Sequence, residues 1–142
     1  MFKKVIKYMD DSDIFIGCAA VSDFKPSKYS DKKIKKDDIS NIDLGLKKNK
    51  DILSFVASNF ISAYVVGFAA ETDNVDTNAK KKLEAKNLDM IVSNDVSDKS
   101  IGFDVDDNEV NVYTKNNKFF LKKDKKIRIA REVLKIVASN IN

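Results

Sequence analysis

Histidine and tryptophan are missing from this chain of 142 residues, which also has one cysteine, one proline and four glycines. Without histidine there is neither the usual imidazole metal ligand nor the usual acid/base group of neutral pH, so Ser-His-Asp and Cys-His chemistries are excluded by composition. Cys18 stands alone, so no intrachain disulfide can form. Gly17, Gly45, Gly67 and Gly102 fit neither GxGxxG nor GxxxxGK[ST], so no glycine cradle for a triphosphate exists. Any phosphate site must use lysines or borrow backbone. Long apolar runs are also lacking: 14–21 and 63–70 are about eight residues each, far short of the ~20 that span a bilayer. The N-terminal MFKKVIKYMDD lacks the apolar core of a secretory signal. These absences predict a cytoplasmic chain with no membrane partner.

The length suits one domain with a real core, and the 43% hydrophobic content agrees. Lys and Arg number 26 against 22 Asp and Glu, a net +4 spread through mixed KD blocks. Such a balance favours anionic ligands only weakly. Asp31, Asp37, Asp38 and Asp124 interrupt the lysine clusters, so a nucleic-acid partner is not expected.

Phe2, Val5, Ile6 and Met9 have helical spacing, and DDSD ends that helix. Residues 14–20 read as a strand buried on both faces, as central parallel strands are, with Cys18 a small buried hydrophobe rather than a nucleophile. Residues 21–41 have no periodicity and read as a long loop. Ile42, Leu44 and Leu46 alternate as in a strand covered on one face. Asn49 or Asp51 is placed to cap a helix to about Ile61, with Ile52, Leu53, Val56 and Phe60 inside. Residues 64–69 read as a second buried strand, and residues 71–78 lead into a helix through Lys86. Residues 90–92 form a third strand before a polar turn, Ser93-Asn94-Asp95. Val110 to Tyr113 and Phe119 to Leu121 flank Asn116-Asn117 as a hairpin. Asp124 then caps a helix whose face is Ile127, Ala130, Leu134 and Val137. The order predicts a single α/β domain over residues 1–142, a Rossmann-like parallel sheet with flanking helices and a C-terminal β-hairpin.

In open parallel sheets ligands bind beyond the carboxyl ends of the strands, where AAVSDFKP, FAAETDN and SND fall. Small residues there let a flat ligand approach, or simply let helices pack on the sheet. Lysines 32–36, and Lys80, Lys81, Lys82 and Lys86, read either as solvated faces or as point charges for phosphate. Lys82 and Lys86 share a helix face. Asp23 reads equally as a turn carboxylate or as one that accepts from a ribose or holds Mg2+ through water.

In order and spacing, AAVSDFKP, KIKK, LKKNKDIL, VVGFAAETDN, KNLDMIVSNDV and GFDVDDNEV resemble the C-terminal half of the phosphopantothenate-cysteine ligase family in its CTP-using bacterial form. The resemblance implies coenzyme A biosynthesis. CTP with Mg2+ or Mn2+ activates the carboxylate of 4'-phosphopantothenate as an acyl-cytidylate, and the amine of cysteine displaces CMP. It further implies CTP contacts from Gly17, Cys18, Ala19, Asp23, Asn49, Lys50, Asp51, Ile52, Phe68, Lys82 and Lys86. Lys33, the first lysine of KIKK, would be the catalytic charge on a flap over the intermediate. Lys50 departs from the family's proline, so that turn lacks a fixed φ. The resemblance also implies a homodimer, an N-terminal ligase half not represented here, and FMN only in a fused decarboxylase partner. A fragment, an excised domain and a split-gene product all fit, and the alternative activity is a non-catalytic nucleotide-binding or dimerisation domain. The metal ligands are not legible.

Overall fold

Three short apolar runs become neighbouring parallel strands in the computed structural model, which describes residues 1–33, 43–97 and 105–141. The chain forms two compact units, Met1–Ala19 with Ile52–Asn142, and Ala20–Asp51. In the first, helix α1 (Phe2–Met9) leads to strand β1 (Ile14–Gly17). In the second lie two short strands, β2 (Phe24–Pro26) and β3 (Leu46–Lys48). The first unit resumes with α2 (Ile52–Asn59), β4 (Tyr64–Glu71), α3 (Val75–Ala85), β5 (Met90–Asp95), β6 (Asp107–Thr114), β7 (Lys118–Lys125) and α4 (Lys126–Asn140). Its five-stranded sheet has the order β1-β4-β5-β6-β7. β1, β4 and β5 run parallel, as expected, while β6 and β7 add the C-terminal hairpin antiparallel to them. No described helix is long and apolar enough to cross a membrane.

Alternation along β4 and β5 sends side chains to two cores. Val65, Ala69 and Ile91 join Val56, Ala79 and Leu88 on one face. Val66, Met90 and Val92 join Val112, Ile129 and Val133 on the other. Each fully buried aliphatic side chain contributes about 1.5–3 kcal/mol. Gly67 lets Leu53 of α2 and Leu88, after α3, close on the middle of β4: a Cβ there would lie 2.8 Å from Leu53 Cδ2 and 2.9 Å from Leu88 Cδ1.

Several expectations are corrected. β1 stops at Gly17 and is only half-buried, with Ile14 41% exposed, because among the described residues β4 is its only neighbour in the sheet. Cys18 follows the strand and is exposed, not a core residue. The aperiodic stretch after residue 21 contains β2, which pairs antiparallel with β3. The strand expected near Leu44 begins at Leu46 and is exposed throughout; Ile42 lies outside the described residues. Ser93, Asn94 and Asp95 are not a turn, since β5 continues through them in register with Ala69, Ala70 and Glu71. Asp124 lies in β7, and Lys125 is the helix N-cap. The inner face of α4 is Ile129, Val133 and Val137, whereas Ile127 and Leu134 are more than half exposed. Of the expected face, Ile127, Ala130 and Leu134 are exposed and only Val137 is buried, so the spacing was helical but mostly of the wrong phase. The phase follows from the junction with β7, where the Lys126 amide donates to the Asp106 carbonyl at 2.9 Å.

A polar contact ties α3 to the hairpin. The hydroxyl of Tyr113, whose residue is 1% exposed, donates to Asp76 in the first turn of α3. Lys118 donates to the other Asp76 oxygen at 2.6 Å and lies over the Tyr113 ring, 5.4 Å from its centroid. Lys118 and then Tyr113 lower the Asp76 pKa. Burial, and then the bond to Asp76, push the Tyr113 phenol well above its ordinary value. The unfolded chain releases that proton near pH ~10 while the folded chain keeps it. This contribution is therefore fully present below about pH 10 and is lost as pH rises beyond it. Thermal melting should show a steeper alkaline loss for the native chain than for Tyr113→Phe, although Tyr64, also raised by burial, keeps some slope in both. Equal slopes would show that the phenol does not couple to folding.

Candidate functional site

The carboxyl ends of β1, β4 and β5 lie on one edge of the sheet because the three strands are parallel. Gly17 closes β1, with room for a Cβ limited by Leu53 Cδ1 at 3.1 Å. Cys18 and Ala19 follow it, both exposed. Although Cys18 is exposed as a residue, partial desolvation of its sulfur raises the thiol, which opposes thiolate formation. Ile52 opens α2 with its side chain buried in the core, so its backbone is what it can offer a ligand.

On β4, Phe68 and Glu71 lie on opposite faces. Phe68 is 41% exposed and shares its side of the strand with Val66 and Ala70, whereas Glu71 follows Ala69 on the α3 side. The expected residues Phe68 and Lys82 are thus brought to one sheet edge but not to one face. Lys82, two turns into α3, points back along the helix as helical side chains do. Its Nζ lies 2.5 Å from Glu71 Oε1. Glu71, only 8% exposed, also accepts from Asn78 Nδ2 at 3.3 Å. Sequence reading passed over Glu71 as a site residue, because a pair separated by 11 residues has no local signature. Lys86 is the C-cap of α3, and its amide donates to the Lys82 carbonyl at 3.1 Å.

In the second unit Asn49 is a brace. Its amide donates to the Asp23 carbonyl and its Nδ2 to the Ser22 carbonyl, both at 2.7 Å. Asp23 and Asn49 are thereby brought together at the base of the β2–β3 ribbon. The Asp23 carboxylate has no partner among the described residues. Cross-strand partners share a face, so Phe24, Pro26 and Leu46 lie on one side together with Lys48, and Lys25 faces Lys47 on the other. Like charges directly opposite each other destabilise a strand pair, an arrangement that an anion relieves. Lys33, Lys50 and Asp51 are exposed. Lys35 and Lys36 of KIKK lie outside the described residues, as do the first residues of GFDVDDNEV.

No group of three or more Cys, Asp or Glu able to hold a metal occurs among the described residues. A magnesium ion carried on nucleotide phosphates needs no such cage, because it keeps several waters and takes one or two carboxylates. The unpartnered Asp23 is of the right chemistry for that.

Residues 1–141 match the family described as the DNA/pantothenate metabolism flavoprotein C-terminal domain. The chain belongs to that family. The coenzyme A biosynthesis bifunctional protein CoaBC of Bacillus subtilis is 41% identical over 140 residues, covering 98% of this chain and 34% of that protein. CoaBC of Haemophilus influenzae is 44% identical over 124 residues, 87% of this chain and 30% of the relative. The chain thus spans about a third of the length of these curated relatives. The solved C-terminal domain of a CoaBC protein superposes with a TM-score of 0.75 at 31% identity, over 96% of this chain and 58% of that one. A pantothenate metabolism flavoprotein from Streptococcus pneumoniae, 22% identical with the same TM-score, covering 97% of this chain and 68% of that one, shares the fold.

Proposed function

We propose that this chain serves coenzyme A biosynthesis as the carboxyl-terminal part of a CTP-dependent phosphopantothenate-cysteine ligase, working in the cytoplasm. The observation that carries the reading is the family match over residues 1–141, whose relatives are named for that pathway. In the first step a carboxylate oxygen of 4'-phosphopantothenate bonds to the α-phosphorus of CTP and the bond to pyrophosphate breaks. In the second, the cysteine amine bonds to the acyl carbon, the acyl oxygen leaves with CMP, and the amine gives up a proton. The attacking carboxylate is already ionised at neutral pH. The first step therefore needs neutralised phosphate charge more than a base, which suits a chain without histidine.

The roles divide by chemistry. Lys33 and Lys82 neutralise phosphate, with Lys86 on the same helix. Asp23 takes a nucleotide-borne Mg2+. Gly17, Cys18, Ala19 and Phe68 meet the nucleoside, while Asn49, Lys50, Asp51 and the Ile52 backbone hold the turn. The N-terminal half of the ligase is the natural partner. Exposed Ile14 on the open edge of β1, and the outer stripe of α4 with Ile127 and Leu134, are apolar surfaces of the kind that such a partner covers.

Calorimetry should give a lower Kd for Mg2+-CTP than for Mg2+-ATP; equal affinities would remove the cytidine reading. A homodimer is part of the same proposal, supported by exposed Phe24 and Leu46, which lie with Pro26 on one face of the β2–β3 ribbon. Sedimentation on the order of tens of micromolar should show it, and a clean monomer would count against it.

Lys33→Gln is the decisive variant. Lys33 is exposed, so its loss should barely change melting. Removing one charge that faces phosphates in the reacting complex costs about a hundredfold in rate or more. Quenched turnover with the N-terminal half of a relative supplied should show that loss for Lys33→Gln and not for Lys32→Gln. Equal losses would reduce the loop to diffuse positive charge.

A further inference from the structure

We infer that Glu71 is a positioning residue that holds Lys82 ready for nucleotide phosphate, an inference that rests on the reading of Lys82 as a phosphate-binding lysine. The geometry is that of an anchored clamp. The Glu71 backbone is fixed by β-pairing with Asp95 and by the Val96 amide, which donates to its carbonyl at 2.8 Å. Its side chain is held by Asn78 at 3.3 Å, and Asn78 is itself tied to the Asp73 carbonyl at 3.0 Å. Glu71 is the most buried carboxylate in any described ion pair, 9% exposed at the side chain, while Lys82 remains 46% exposed. One of the three ammonium donors of Lys82 is therefore directed at Glu71 at 2.5 Å, and the exposed half leaves the others for an incoming anion.

A second observation places polar chemistry on the same face. Ser93, 0% exposed, has a hydroxyl without a hydrogen-bond partner among the described residues. It pairs in register with Ala69, two residues before Glu71, so both side chains point to the α3 side of the sheet. A purely structural ion pair accounts for Glu71 but not for a buried orphan hydroxyl on the same face, level with Ala69 near the carboxyl ends of parallel strands.

Two electrostatic effects oppose each other. The Glu71 carboxylate repels phosphate, yet it fixes a side chain whose ordering otherwise weighs against binding. At 2.5 Å the two charges largely cancel each other, so what Glu71 adds to phosphate binding is the direction of Lys82 rather than net charge.

The test is calorimetric titration of the chain with Mg2+-CTP, using Glu71→Gln, Lys82→Gln and the double variant, each first checked by thermal melting. Glu71→Gln should raise Kd about five- to tenfold, and the double variant should bind no worse than Lys82→Gln alone, because Glu71 acts only through Lys82. Glu71→Asp, which keeps the charge but shortens the reach, should weaken binding less than Gln and carries the same comparison if the Gln variant does not fold. Unchanged or tighter binding by Glu71→Gln, or additive losses, would overturn the positioning role and leave the reading of Lys82 intact. If Lys82→Gln binds as the native chain does, or the native chain does not bind, that reading falls and the inference with it.

Discussion

Strand β4 is the constraint on which the first unit depends. It is hydrogen-bonded in parallel on both edges, to β1 and β5, and its alternating side chains feed both cores. A parallel pair cannot be joined by a tight turn, so each crossover carries a helix, and the helices must lie on the faces of the sheet. Val65 and Val66, both essentially inaccessible, show how completely β4 is enclosed, and Gly67 lets α2 and the segment after α3 press against it. With direction and register set, the carboxyl ends of three strands meet along one edge without further instruction.

That edge is where polarity replaces the core. β4 and β5 pair through Glu71 and Asp95, so their apolar centres give way to acidic ends still held within the sheet. A strand's period of two then puts Phe68 and Glu71 on different faces, which gives the edge an apolar side and a charged side within four residues. The arrangement suits a ligand with a flat base and a charged tail, provided that the ligand straddles the strand end instead of lying on one face.

The sequence made the α/β architecture legible because each parallel strand begins as a short apolar run between helical segments, and because Asn116 and Asn117 mark the hairpin. On α4 it was right at Val137 but turned Ile127 and Leu134 inward, since two apolar stripes run along that helix and spacing alone does not say which has a neighbour. It hid β2 because Phe24-Lys25-Pro26 is too short and too exposed to show a pattern. For the candidate site, the family motifs proposed residue types and their order. What they left out was pairing: neither Glu71 with Lys82 nor Asp76 with Tyr113 and Lys118 has a signal in local sequence, since the partners are separated by 11, 37 and 42 residues.

Pairing also sorts the lysines. Lys82, Lys115, Lys118 and Lys125 each have a carboxylate, so their charge is balanced before any ligand arrives. The side chains of Lys25, Lys33 and Lys47 make no ion pair among the described residues, and two of them face one another across the ribbon. An anion gains most from cations that are not already satisfied and that repel one another in its absence. Because exposed charges are screened beyond about 10 Å at ordinary ionic strength, that gain is felt only at close range. Within the ribbon, then, an anion would relieve a repulsion, whereas within the first unit the Lys82–Glu71 pair fixes the direction of a lysine at little net charge.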